Sequence, residues 1–128
     1  MLTTAPVVPM LPVASLERAR RFYEDQLGLL PVEELSGGDA LMFECGEGTL
    51  LGVYQRAAPN RADHTAAIWI VDDVQDTVRR LTGNGIRFEQ YDMPGLQTDD
   101  LGIADLGNEW AAWFKDPDGN TLGIVQFV

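Results

Sequence analysis

The sequence predicts an α+β fold built from two copies of one βαβββ module, and an internal repeat carries this prediction. Residues 48–55 (GTLLGVYQ) recur as residues 119–126 (GNTLGIVQ), with two glycines, a leucine, an aliphatic residue and a glutamine in register at a constant offset of 71. Residues 11–29 (LPVASLERARRFYEDQLGL) resemble residues 69–86 (WIVDDVQDTVRRLTGNGI), at an offset of 58 where each helix would start and 57 at the glycine after it. Such a repeat indicates two similar modules, each too small to close a hydrophobic core alone.

The first module has the pattern of a strand, a helix and three further strands. An apolar run at 7–13 predicts a strand whose prolines suit an edge or a strand end. Ser15 is suited to cap the helix that follows and Gly28 to end it. The apolar positions between them share one helical face: Leu16, Ala19, Tyr23 and Leu27. Three strands follow, separated by the turn sequences SGG and GEG, at 31–35, 40–44 and 50–54.

The second module repeats this order. Asp73 is suited to cap a helix that Gly85 ends. Strands are expected before and after that helix, at 65–71, 87–91, 110–114 and 121–127. We therefore expect one domain over residues 1–128, with the first module at about 1–56, a polar linker at 57–63 and the second module at about 64–128. The segment 92–106, rich in Gly and Asp, is either a lid or binding loop or an ordinary surface excursion.

Composition excludes several classes of protein. The hydrophobic content of 45% is typical of a globular chain, and no apolar run approaches the ~20 residues of a membrane span. The first residues lack a basic region and are interrupted by prolines, unlike a signal peptide. Cys45 is the single cysteine, so no intrachain disulfide forms and a cytoplasmic location is expected. The net charge of −11 disfavours nucleic acid and membrane partners; it suits either a cationic ligand or simply an acidic surface.

The segment WFKDPDGN at 113–120, continued by TLGIVQ, resembles the closing hairpin of the vicinal oxygen chelate superfamily. The segment SLERARRFYEDQLGL at 15–29, after a short strand, resembles the same family. Glyoxalase I, extradiol dioxygenases, fosfomycin-resistance transferases and bleomycin-resistance proteins belong to it. The resemblance covers nearly the whole chain. It implies two βαβββ modules that form a curled mixed sheet around a cleft, and a homodimer.

Members of this superfamily with metal chemistry place four ligands on four strands. Carried over by the resemblance, these positions hold Val8, Gly52, Ala66 and Gly123. None of the four side chains offers a lone pair to a divalent cation, so we expect no metal and no other cofactor. His64 stands two residues before Ala66 and would share its face of the strand; it is either a displaced ligand or a polar residue where the linker enters the strand.

With small residues at those positions, the cleft becomes roomy and apolar. Alternation along the strands predicts that it is lined by Val8, Met10, Pro12, Leu50, Gly52, Tyr54, Ala66, Ile68, Thr121, Gly123 and Val125, with Trp69 facing the helix side. The resemblance adds Trp113 and its repeat counterpart Met42, and Trp110 is a further candidate beside the long loop. Aromatic and sulfur walls favour a flat aromatic ligand. Trp113 is equally suited to ordinary core packing.

Two functions remain open. The first is metal-independent sequestration of an aromatic natural product, as in antibiotic-resistance members of this superfamily. The second is a metal-free isomerase, cyclase or lyase of secondary metabolism, which needs at least one positioned acid, base or nucleophile. The candidates for that role are Tyr54, His64, Glu89, Tyr91 and Cys45, and no pair among them has a recognisable catalytic spacing.

Overall fold

The computed structural model describes residues 1–58 and 63–128, and the chain forms two compact units, Met1–Asn60 and Arg61–Val128. Both are α+β, and each contains a four-stranded mixed sheet, as the sequence predicts. Four residues of the expected linker at 57–63, residues 59–62, lie outside the described part. No helix in the described ranges is long and apolar enough to cross a membrane.

The first unit consists of one sheet and one helix. Its elements are β1 (Met10–Val13), α1 (Leu16–Arg20, continued by a π-helical turn at Arg21–Gln26), β2 (Leu30–Pro31), β3 (Ala40–Glu44) and β4 (Leu50–Gln55). The strand order is β1-β4-β3-β2, with β1 parallel to β4 and the other pairs antiparallel. The hydroxyl of Ser15 accepts the backbone N–H of Arg18, so the expected cap is present.

The core of the first unit lies between α1 and one face of its sheet. Ala19, Phe22 and Tyr23 are buried on the helix, and the Tyr23 ring stacks on Phe43 with centroids 5.6 Å apart. Along the strands, Leu11, Val13, Leu41, Phe43, Leu51 and Val53 are buried on this face. The alternate residues therefore lie on the opposite side of the sheet, which we call the helix-distal face.

The second unit has the same plan. Its elements are β5 (Thr65–Ile70), α2 (Val74–Gly83), β6 (Asp92–Met93), β7 (Leu96–Gln97), β8 (Ile103–Asp105), β9 (Glu109–Lys115) and β10 (Thr121–Phe127). The main sheet has the order β5-β10-β9-β8, with β5 parallel to β10. Its helix-side core includes Phe114, which stacks on Trp69 at 6.5 Å and meets Phe88 edge-on at 5.4 Å.

The repeat is confirmed by topology, because β4 and β10 occupy the same central place in the two sheets. Two expected strands are wrong. Residues 33–35 form a 3-10 turn, because bonding to β3 ends where the Val32 N–H donates to the Met42 carbonyl, and the Met42 N–H donates instead to the Ser36 hydroxyl. Residues 87–91 form only an isolated bridge, Phe88 to Phe114, because the Tyr91 N–H donates to the Thr98 hydroxyl instead of to β9.

The long loop at 92–106 is more structured than the sequence suggests. It contains the β6–β7 hairpin and the edge strand β8, which pairs antiparallel with β9. The carboxylate of Asp99 accepts the N–H groups of Leu101 and Ile103, both at 2.9 Å, and so forms the turn that leads into β8. The segment 92–106 therefore supplies the edge strand of the second sheet, β8. The turn that Asp99 stabilises leads the chain into this strand.

Candidate functional site

Each sheet has a glycine at the centre of its helix-distal face, flanked by two larger apolar side chains. In the first unit Gly52 pairs with Met10 on β1 and with Met42 on β3. In the second unit Gly123 pairs with Ile68 on β5 and with Trp113 on β9. We call each set of three paired residues a row: Met10, Gly52 and Met42 in the first sheet, and Ile68, Gly123 and Trp113 in the second. The strand pairing therefore matches Gly52 with Gly123 and Met42 with Trp113, as the repeat predicts.

Because these glycines have no side chain, the side chains on the two neighbouring strands lie over the glycine backbone. A Cβ at Gly52 would lie 2.8 Å from the Met42 sulfur and closer still to the sulfur of Met10. A Cβ at Gly123 would lie 3.3 Å from both Ile68 Cγ2 and Trp113 Cδ1. The glycines therefore allow two thioethers in one unit, and an indole with an isoleucine in the other, to cover the middle of the sheet.

Two predicted lining positions do not stand beside the glycines. Val8 precedes β1, which starts at Met10, so Met10 takes the place expected of Val8. In β5 the register with β10 shifts after Thr65, so that Ala67 pairs with Leu122 and Ile68 with Gly123. Ala66 falls at this irregularity and has no partner in the ladder, because a bulge leaves one residue unpaired.

The side chains around the two glycines do not fit a divalent metal ion. Met10, Met42, Ile68 and Trp113 offer two thioether sulfurs and otherwise carbon or an indole N–H, whereas zinc, iron and manganese prefer imidazole, carboxylate or thiolate. Within residues 1–58 and 63–128, no three His, Cys, Asp or Glu side chains are grouped as a metal site.

A polar cluster adjoins Trp113 on the helix-distal face of the second sheet. Lys115 pairs with Thr121 across the hairpin, and its ammonium donates to the Thr121 hydroxyl at 2.6 Å. The Glu89 carboxylate lies 3.8 Å from the same ammonium. The backbone N–H of Glu89 donates to the Trp113 carbonyl at 2.8 Å, which fixes the 87–91 segment against β9. The Glu89 carboxylate, the Lys115 ammonium and the Thr121 hydroxyl thus form a polar cluster next to Trp113.

Tyr91 connects this cluster to the indole. Its ring meets that of Trp113 nearly edge to face, with centroids 5.8 Å apart and planes at 71°. Burial raises the pKa of the Tyr91 phenol above its ordinary value of 10.0, and the nearby carboxylates of Glu89 and Asp63 raise it further. The phenol is therefore neutral and able to donate a hydrogen bond at physiological pH.

The other predicted residues are spread over both faces. Leu50, Tyr54 and Pro12 lie on the helix-distal face of the first sheet in the register of Gly52, and Thr121 and Val125 lie on that of the second sheet in the register of Gly123. Trp110 does not share the face of Trp113. It pairs with Gln126, whose side chain accepts the N–H of Val74 at the start of α2, and so lies on the helix side. His64 is exposed just before β5.

One residue of the polar cluster, Lys115, was not named as a site residue from the sequence. Lys115 and Thr121 could have been paired, because they flank the DPDGN turn symmetrically. The contact of Glu89 with Lys115 had no such signal, since it depends on where an irregular segment meets the edge of β9. Glu89 and Tyr91, named separately as possible acids or bases, both contact Trp113, the first through its backbone N–H and the second through its ring.

Comparison with known proteins agrees with this architecture. Solved structures with the same fold include a lactoylglutathione lyase from Agrobacterium tumefaciens (20% identity, 98% of this chain and 96% of that chain, TM-score 0.68). A glyoxalase/dioxygenase from Nostoc punctiforme is 18% identical over 99% of this chain and 92% of that chain, with a TM-score of 0.70. A virulence protein from Salmonella typhimurium is 23% identical over the whole of both chains, with a TM-score of 0.67.

No curated protein matches the chain. The family model of the Glyoxalase/Bleomycin resistance protein/Dioxygenase superfamily matches residues 5–124, which is nearly the full length. The fold, the duplicated module and this match agree, and the chain belongs to the Glyoxalase/Bleomycin resistance protein/Dioxygenase superfamily.

Proposed function

We propose that the protein binds and sequesters an aromatic or polycyclic small molecule, without a metal ion, on the helix-distal face of its second sheet. The observation that carries this proposal is the row formed by Trp113, Gly123 and Ile68. Because the central residue of this row is glycine, a bound ligand would contact mainly the indole of Trp113 and the side chain of Ile68. A planar ring gains from stacking on tryptophan and from burying apolar surface.

The exposure of the neighbouring side chains supports a ligand on this face. Ile68 is 49% exposed and Ile70 is 67% exposed, although both belong to a strand of the main sheet. Adjacent exposed isoleucines beside a half-buried tryptophan form an apolar patch, and such patches are typical of binding sites. Bleomycin-resistance proteins are named in the superfamily to which the chain belongs, and a resistance role based on sequestration of a natural product fits this surface.

Removal of the indole tests the proposal. In Trp113→Ala, affinity for an uncharged planar aromatic probe such as 1,8-dihydroxyanthraquinone should fall by about 1–3 kcal/mol, the value of a lost aromatic anchor. Trp110→Phe is the matched control, because Trp110 lies on the opposite face of the same strand. Fluorescence titration and calorimetry should show weak binding for the first variant and wild-type binding for the second. Equal affinity in both variants would place the ligand elsewhere.

The fate of the ligand separates sequestration from catalysis. After incubation and denaturation of the protein, the ligand should be recovered unchanged, and the amount bound should not exceed one per site. Recovery of a converted product in excess over the protein would assign the protein to the enzymes. We also propose a homodimer for the functional form, and light scattering at micromolar concentration measures it directly.

A metal-free enzyme is the second candidate, favoured by the polar cluster of Glu89, Lys115 and Thr121 beside Trp113. A carboxylate held 3.8 Å from an ammonium can accept a proton from a bound molecule, and the ammonium can stabilise the resulting charge. Glu89→Gln keeps the shape and removes the base. Under this candidate the variant loses turnover while it keeps affinity; under sequestration, neither wild type nor variant shows turnover.

A further inference from the structure

We propose that the second unit has a separate binding site for an organic ammonium ion on the helix side of its sheet, with Trp110 as its aromatic wall. A cavity of about 400 Å³ lies there. Its lining joins the indole with two carboxylates and three neutral polar side chains: Trp110, Asp99, Asp105, Gln75, Gln97 and Thr98. The function proposed above uses the opposite face of β9 and does not involve this cavity.

The geometry places a carboxylate directly beside the indole. Asp105 on β8 pairs with Trp110 on β9, so their side chains stand next to each other on the same face of the sheet. Ile103, two residues before Asp105, also lines the cavity and is buried, which gives this wall a fixed apolar support. The Trp110 side chain is only half-buried, so part of the ring faces the cavity.

Both carboxylates are exposed, and backbone hydrogen bonds to one oxygen of each hold them in place. Asp99 Oδ1 accepts two backbone N–H groups at 2.9 Å, and Asp105 Oδ1 accepts the Gly107 N–H at 2.9 Å. The second oxygen of each carboxylate takes no part in these turn bonds. The cavity lining contains no Lys, Arg or His, and neither aspartate forms an ion pair within the described residues. A positive ligand group can therefore pair with either carboxylate.

The helix start beside the cavity does not offer an anion site. Gln75 is the second residue of α2, and free backbone N–H groups at such a position favour anions. Here the Val74 N–H donates to the Gln126 side chain at 2.9 Å, and the Asp76 N–H donates to the Asp73 carboxylate at 3.0 Å. Two of the three N–H groups in this first turn are therefore already satisfied, and the two aspartates of the lining favour a positive ligand.

An organic ammonium fits this lining better than a metal ion does. The face of a tryptophan attracts a cation within about 6 Å of the ring, and this attraction is strongest among the aromatic side chains. A metal ion would need a third acidic or imidazole ligand, and no group of three occurs in the part of the chain that the structure describes. The net charge of −11 further favours the approach of a cation.

The test uses choline chloride as the probe, and its neutral isostere 3,3-dimethyl-1-butanol as the control, at constant ionic strength. The chain has three tryptophans, so a ¹H–¹⁵N spectrum shows three indole N–H signals, which single Trp→Phe variants assign. Choline should shift the Trp110 signal with saturation and leave that of Trp113 unchanged, and the neutral alcohol should do neither. Trp110→Leu should weaken binding roughly three- to thirtyfold.

Asp105→Asn separates charge from structure. The amide oxygen can still accept the Gly107 N–H, so the fold is retained while the charge is lost, and choline affinity should fall roughly two- to fivefold. Gln75→Glu adds a charge to the same lining and should raise affinity. The proposal is overturned by equal binding of the neutral alcohol, by a saturable shift at Trp113 in place of Trp110, or by no saturable shift up to about 100 mM choline.

Discussion

The DPDGN turn that joins β9 to β10 allows one stability prediction to be worked out in detail. Asp116 is only 4% exposed, and its carboxylate accepts hydrogen bonds from Asp118 and Asn120. Oδ1 takes the backbone N–H groups of Asp118 and Asn120, both at 2.9 Å, and Oδ2 takes the Asn120 side-chain amide at 2.7 Å. Because the turn connects Trp113 and Lys115 with Thr121 and Gly123, it also holds the candidate site together.

Replacement of Asp116 by Ala leaves three buried donors without this acceptor. At about 1–3 kcal/mol for each unsatisfied buried group, and with some relaxation toward water, the free energy of unfolding should fall by about 3–5 kcal/mol. That is a large part of the 5–15 kcal/mol expected for a domain of this size. Asp116→Asn keeps the acceptor for the two backbone groups but points its own amide at that of Asn120, so about 1–2 kcal/mol should be lost.

Urea unfolding, followed by tryptophan fluorescence and by far-ultraviolet circular dichroism, measures both losses. Asp100→Ala is the control: Asp100 is exposed in another turn of the second unit, and its loss should change stability by less than about 0.5 kcal/mol. If Asp116→Ala unfolded within about 1 kcal/mol of the wild type by both probes, the carboxylate would not be the acceptor on which this turn depends.

Three further predictions concern the site. The pKa of Tyr91 is raised in the folded protein, so the native state holds the phenolic proton more tightly than the unfolded chain does. This tighter binding of the proton contributes stability below pH ~10, and the contribution is lost as the pH rises above that value. Tyr91→Phe should therefore show a smaller alkaline loss of stability in urea titrations at increasing pH, and an unchanged loss would contradict the assignment. Gly52→Ala should displace the flexible thioethers of Met10 and Met42 with little effect on melting temperature, whereas Gly123→Ala should press on the indole of Trp113, destabilise by up to about 1 kcal/mol and alter the near-ultraviolet spectrum. Equal behaviour of the two variants would show that the two glycine rows are packed alike. Elemental analysis should find no stoichiometric transition metal, and a chelator should leave the melting temperature unchanged; one bound equivalent of zinc, iron, manganese or nickel would refute metal-independence.

The local features of the fold were determined by the sequence alone, because they depend on neighbouring residues. Ser15 and Asp73 cap their helices through side-chain bonds to residues three positions later. Gly28 and Gly85 end the helical segments with φ of 75° and 92°, a conformation that favours glycine. The repeat at a constant offset placed Gly52 and Gly123 in equivalent strands, since equivalent local patterns produce equivalent supersecondary units.

The sequence also predicts which face of a strand each side chain occupies, because successive side chains point to opposite faces. This alternation places Trp110 and Trp113 on different faces of the second sheet. The two positions differ by an odd number, so they point to opposite faces once both belong to β9. The two tryptophans therefore lie on opposite faces of the second sheet. The shared cleft and the ligand remain predictions, as does the dimer.

Features that depend on long-range pairing were decided only by the tertiary structure. The start of β1 at Met10 and the register shift beside Ala66 determine which residues flank the glycines, and a displacement of one or two residues changes the whole row. The contact of Glu89 with Lys115 joins an irregular segment to the end of β9 across 26 positions of the chain. No local pattern specifies such a contact, because it arises from how separate segments pack once the sheet has formed.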